Sequence, residues 1–166
     1  MQKELRILGI DPGLASSGWG IIAVQGSKLK PLAYGSISTD ATQELPLRLA
    51  SIYDELSAVI IKYTPVELSI ETIYHKGNPR SSFSTAQARG VALLAAARSQ
   101  LAVNEYAPSA IKQAVVGNGS ATKQQVQYMV RNLLALDHTP EPDHAADALA
   151  AAICHAHHRR YNSLRA

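Results

Sequence analysis

Leu5-Arg6-Ile7-Leu8-Gly9-Ile10-Asp11-Pro12-Gly13-Leu14-Ala15-Ser16-Ser17-Gly18-Trp19-Gly20-Ile21-Ile22-Ala23-Val24 is the stretch on which the fold turns. A short, mostly apolar run over residues 5–10 is closed by Asp11-Pro12-Gly13, and a second apolar run fills residues 18–24. The segment therefore reads as strand, tight turn, strand. Residues 29–37 supply a third strand. Connections this short cannot join parallel neighbours, so the sheet begins as an antiparallel meander.

Downstream, the period changes. Leu45, Leu49, Ile52, Leu56, Val59, Ile60 and Tyr63 recur at helical spacing, with Arg48, Ser51, Asp54, Glu55 and Lys62 on the other side, until Pro65 stops the run. Over residues 66–71, Val66, Leu68 and Ile70 alternate with Glu67, Ser69 and Glu71, as in a strand with two unlike faces. A strand after a helix implies a crossover to a parallel position beside the first strand. Residues 75–82 are polar and turn-prone and read as an exposed loop, followed by an Ala-rich helix over 83–100. A fifth strand is predicted at 101–106, a short helix with Pro in its first turn at 108–116, and a loop at 117–120. Thr122 and Gln125 form a capping box ahead of the apolar stripe Val126, Met129, Val130, Leu133 and Leu134. Beyond Pro140 and Pro142, an alanine-built helix is predicted over 143–158, and residues 159–166 read as a polar, frayed tail. There is no internal repeat, and residues 1–158 read as a single domain.

The 166 residues, 46% of them hydrophobic, are enough for one buried core. The single cysteine, Cys154, cannot form an intramolecular disulfide, and Lys3, Glu4 and Arg6 interrupt any apolar leader, so the chain reads as cytoplasmic. No stretch approaches the roughly 18 consecutive apolar residues of a membrane span. A net charge of +3 favours an acidic partner such as nucleic acid without deciding the matter.

The placement of the acids says more. Asp11 ends the first strand, and Glu71 ends the strand expected to lie parallel beside it, so both carboxylates emerge at the sheet edge that favours ligand sites. Asp11 alone could be an ordinary Asp-Pro-Gly turn. Two unpaired carboxylates held close together repel, an arrangement that makes sense chiefly around a divalent cation. A third acid comes from the last helix, where His144 and Asp147 lie three apart and Asp143 and Asp147 four apart, so either pair shares a face. Asp143 in a first helical turn could simply complement the macrodipole. Asp147 stands in an alanine run that lets a helix approach a sheet closely, and is expected to point into that contact. Cys154 and the scattered histidines form no nucleophile-base arrangement, and His155, His157 and His158 read as a solvated helix terminus.

Gly9-Ile10-Asp11-Pro12-Gly13, the Ile70-Glu71 strand end, Gln87-Ala88-Arg89-Gly90, Lys112-Gln113, Val116-Gly117 and Ala146-Asp147-Ala148-Leu149-Ala150 follow one another as they do in the RuvC family of Holliday-junction resolvases, which the chain resembles over about residues 5–158. The resemblance implies an RNase H-like α/β fold, with a five-stranded mixed sheet and helices on both faces. It also implies cleavage of four-way DNA junctions by a homodimer, with a branch-migration motor as a candidate partner. In that family an Asp, a Glu and two residues of the last helix hold two divalent ions, Mg2+ or Mn2+. By position these are Asp11, Glu71, His144 and Asp147, with His144 favoured over Asp143 because its spacing to Asp147 is the family's. Two such ions activate a water on one side of a phosphodiester and stabilise the leaving oxygen on the other. Lys112 and Lys123 match basic positions of the family. Lys123 stands where free N–H groups and the helix dipole already favour phosphate. Tyr74 matches an aromatic position that touches bases near the junction centre, where stacking would be its contribution. His75, Lys76 and Arg80 extend that loop with phosphate donors. For each of these residues the plainer alternative is a solvated surface charge or, for Tyr74, core packing; Arg89-Gly90 could simply pack a helix.

Three other functions share parts of this pattern. Actin-like and sugar-kinase ATPases need two such domains and further phosphate loops. An RNase H-like nuclease that trims ribosomal RNA precursors usually lacks the region from Lys112-Gln113 to Lys123. A catalytically inactive junction-binding module would have no reason to keep all four ligand positions.

Overall fold

The computed structural model describes residues 4–73 and 79–163. A five-stranded sheet has the order β3-β2-β1-β4-β5. Its strands are β1 (Leu5–Asp11), β2 (Ser16–Gln25), β3 (Lys28–Ser38), β4 (Glu67–Glu71) and β5 (Ala102–Tyr106). β1, β2 and β3 pair antiparallel, and β4 lies parallel to β1 on one side and to β5 on the other. This is the mixed sheet of an RNase H-like fold.

Helices cover both faces. α1 (Leu45–Tyr63) and α2 (Pro79–Arg98) pack on one, burying Ile52, Leu56, Ala88, Ala92 and Ala96 against Leu8, Ile10, Ile21, Leu68 and Ile70. α3 (Pro108–Val116), α4 (Lys123–Leu133) and α5 (Asp143–Ser163) cover the other, where Ile111, Val115, Val126, Val130, Leu149 and Ile153 meet Ile7 and Ile22. α1 has Pro46 in its first turn and ends at Thr64, whose left-handed backbone sends its N–H to the Ile60 carbonyl, one residue before Pro65. The capping box of α4 is present in both directions. Thr122 Oγ1 accepts from the Gln125 backbone at 3.2 Å, and Gln125 Oε1 accepts from the Thr122 backbone at 2.9 Å.

α5 lies directly on β1 and β2. A Cβ added at Gly9 would stand 1.9 Å from the Ala148 carbonyl oxygen, and one at Gly18 1.9 Å from that of His144. Only glycine permits this approach, and the alanines opposite are fully buried. Three polar links then tie α5 to β4. Ser69 Oγ donates to the Ala151 carbonyl at 2.6 Å, and the two carboxylate oxygens of Glu67 meet His155 Nε2 at 2.6 Å and Arg159 Nε at 3.0 Å.

Several boundaries differ from expectation. α2 begins at Pro79, four residues early, so residues 79–82 are helix and not loop. A proline has the right φ for a first helical turn, and its missing N–H costs nothing there. α5 continues to Ser163, past the expected end at His158, with Arg159 held by Glu67. His155 is buried, contrary to a solvated terminus: Glu67 takes one ring nitrogen, and the Tyr106 hydroxyl lies 2.7 Å from the other. His157 bonds the Ala114 carbonyl at 3.0 Å, and His158 stacks on Tyr106.

Candidate metal centre and nucleic-acid interface

Strand alternation decides which side chains meet. In β1, Leu8 and Ile10 face α1 and α2, so Ile7, Gly9 and Asp11 face α5. In β4, Leu68 and Ile70 take the first face, and Glu67, Ser69 and Glu71 the second. Ile10 pairs with Ile70 in register, so the next residues, Asp11 and Glu71, leave adjacent parallel strands at the same end and on the same face. The close approach at Gly18 brings the first turn of α5 to that end. His144 Nδ1 lies 2.7 Å from Asp11 Oδ2.

Asp11, His144 and Asp147 each offer one ligand atom, and these atoms lie within 4.8 Å of one another. Glu71 lines the same cavity with Asp11 and Asp147, alongside Lys112 and Lys123. Asp143 is not among the converging ligand atoms. It faces Lys123 and Gln127 on α4, whereas His144, which the resemblance favoured over Asp143, faces the Asp11 carboxylate. Asp147 is half-buried and turns toward the strand ends, where it lines the cavity with Asp11 and Glu71, its carboxylate 3.4 Å from Lys123 Nζ; its alanine neighbours fill the contact with the sheet.

The charges conflict. Burial pushes the Glu71 carboxyl up to about 7, and Asp11 and Asp147 add to the effect against a smaller opposing pull from Lys112. Burial likewise raises Asp11, although its bond to His144 opposes the rise. Partial burial alone would push the Lys123 ammonium down, but Asp147 and Asp143 hold it above its ordinary value. Acids that resist ionisation together, with a nitrogen ligand among them, suit a divalent cation. The residues present therefore fit the metal that the resemblance implies. Cys154 offers no competing chemistry: it is buried, its thiol pushed up to about 12.

Of the residues expected to contact nucleic acid, Lys112 and Lys123 border this cavity. Arg80 is exposed in the first turn of α2. Tyr74 and Lys76, with His75, lie outside the described residues. A second pocket, lined by Ser81, Ser82 and Thr85 of α2, shares Asp11 and Glu71 with the cavity bordered by the two lysines and was missed in the sequence. The signal for it was Pro79, which opens a helix. Arg89 pairs with Glu105 at 2.6 Å and so ties α2 to β5, while a Cβ added at Gly90 would meet nothing.

A sheet of this order, with acids gathered at the shared end of its two central parallel strands and lysines around them, defines an RNase H-like nuclease. The particular family follows from comparison. Residues 7–155 match the family model described as crossover junction endodeoxyribonuclease RuvC, and the chain belongs to that family. It is 54% identical over 151 residues to the crossover junction endodeoxyribonuclease RuvC of Heliobacterium modesticaldum, covering 91% of this chain and 93% of that protein. Identity to the Syntrophomonas wolfei protein of the same name is 47% over 159 residues, 96% of this chain and 92% of that one. The structure of T. thermophilus RuvC in complex with Holliday junction substrate is similar at a TM-score of 0.91 and 32% identity, covering 96% of this chain and 97% of that one.

Proposed function

We propose that this chain resolves four-way DNA junctions by metal-dependent phosphodiester hydrolysis, with Asp11, Glu71, His144 and Asp147 as the ligands of two divalent cations. The observation that carries this is the convergence of Asp11, His144 and Asp147 on one point, with Glu71 lining the same cavity. Cations bound there supply positive charge that polarises the phosphodiester, lowers the pKa of an attacking water and stabilises the leaving oxygen. The protein does the rest. β1 and β4 fix two carboxylates at one edge, and α5 presents His144 and Asp147 to them. Glu71 must release its proton before it can ligate. Lys112 and Lys123 hold substrate phosphates at the rim without reading bases. Arg80 and Lys76 extend that phosphate surface, and Tyr74 stacks on an unpaired base at the junction centre.

Paired incision of a symmetric junction calls for two sites related by a two-fold axis, hence a homodimer. The outer face of α2, where Phe83 and Leu94 are 68% and 54% exposed, supports pairing through that helix.

The test is incubation with an immobile four-way junction, a linear duplex and a structured RNA, each with Mg2+, with Mn2+ and without divalent cation. Symmetric cutting of the junction alone, and only with a divalent cation, is expected. Cleavage of the RNA with the junction left intact would assign the site to RNA processing instead.

A further inference from the structure

We infer that Asp143 is a positioning residue, which with Gln127 tethers the Lys123 ammonium at the mouth of the site and presents it to a substrate phosphate. Lys123 Nζ lies 3.2 Å from Asp143 Oδ2 and 3.4 Å from Asp147 Oδ2. The other oxygen of Asp143 accepts from Gln127 Nε2 at 3.0 Å, one turn along α4 from Lys123. The carboxylate in the first turn of α5 is thus clamped by two side chains of α4.

Three considerations make this more than a surface ion pair. Lys123 occupies the first turn of its helix, where the macrodipole disfavours a cation, whereas Asp143 occupies the first turn of α5, where the dipole favours an anion. The acid therefore anchors the lysine. A divalent cation on Asp147 competes with the ammonium for that carboxylate and repels it, which leaves Asp143 as the contact that survives loading. A lysine already restrained also loses less side-chain freedom when it meets a phosphate. The inference rests on the phosphate-contact role proposed above for Lys123.

The sign of one effect tests it. Bulk electrostatics alone makes removal of an acid beside DNA tighten binding; removal of a tether weakens it. Junction affinity would be measured without divalent cation, across a salt series, in an Asp147→Asn background that removes the second carboxylate from Lys123, for that parent and with Lys123→Ala, Asp143→Ala or both added. Lys123→Ala should weaken binding and flatten the salt slope by about 0.9, the value for one phosphate contact. Asp143→Ala should weaken binding by about threefold in the presence of Lys123 and have no such effect in the Lys123→Ala background, a coupling expected only between interacting groups. Asp143→Asn, which keeps the shape without the charge, should act in the same direction, and thermal melts establish that all variants are folded. If Lys123→Ala weakens binding but Asp143→Ala leaves it unchanged or tightens it, the tether is wrong and the phosphate contact stands. If Lys123→Ala itself has no effect, the phosphate contact fails and the tether with it.

Discussion

Glu71 bears the charge conflict of the site most directly. Its carboxyl is pushed from the ordinary 4.5 to about 7, so as the pH rises the unfolded chain releases this proton before the native protein does. The stability that Glu71 contributes without metal is greatest below about pH 4.5, falls as the pH rises to about 7, and then levels off. Metal binding at Glu71, as proposed, would run the other way, because a cation there would have to displace that proton. The rise in melting temperature on adding Mn2+ should therefore be larger at about pH 8 than at about pH 5.5, and Glu71→Gln should flatten the difference. Melts at the two pH values check both. As the proposed nitrogen ligand, His144 should set the metal preference. An imidazole in place of a carboxylate suits manganese better than magnesium, so cutting should favour Mn2+, and His144→Asp should shift the ratio toward Mg2+. Asp143→Asn should leave the ratio unchanged. A ratio unmoved by His144→Asp would mean that the histidine does not touch the metal. Asp11 and Glu71 were legible because each ends a strand, where a carboxylate needs a reason. The division between Asp143 and His144 was legible only through the resemblance, which favoured His144. Helical spacing puts both within reach of the site, and only the close approach of α5 to Gly18 directs His144 toward Asp11.

Between elements, the precision of the site is that of α5 against the sheet. A methyl group at Gly18 would strike the backbone of His144, and one at Gly9 the backbone of Ala148, neither of which can swing aside as a flexible side chain could. Gly18→Ala should thus lift the first turn of α5, abolish cutting and cost about 1–3 kcal/mol or more in denaturant unfolding. An active, equally stable Gly18→Ala would show that the helix is not held so close. At the far end, Glu67, His155 and Arg159 pin α5 to β4, the strand that carries Glu71. His155→Ala leaves the largely buried Glu67 and the Tyr106 hydroxyl each short of a partner, and should lower stability by about 1–3 kcal/mol in the same measurement. The strands and the α4 cap could be read from the chain because alternation and capping chemistry are local. The buried role of His155 depends on partners 49 and 88 residues away, and no nearby residue announces it. α2 was placed four residues late for a different reason: Pro79 among polar neighbours looks the same in a loop as in a first helical turn.

Across the whole molecule, the sheet separates an apolar layer under α1 and α2 from one under α3, α4 and α5, and Asp11, Glu71, His144 and Asp147 belong to the second layer's edge. The meander of β1, β2 and β3 and the parallel place of β4 beside β1 followed from the sequence, because short turns and a helical crossover have few solutions. The second pocket, between α2 and the ends of β1 and β4, did not, since it depends on where that helix begins. The proposed metal ligands and the proposed phosphate-contacting lysines are different side chains, so cutting and binding should be separable. The most direct measurement pairs the two on one immobile four-way junction with Mn2+ for Asp11→Asn, Glu71→Gln and Asp147→Asn. All three variants should retain junction binding close to that of the wild type and lose cutting. A variant that still cuts at near the wild-type rate would contradict the four-ligand metal centre.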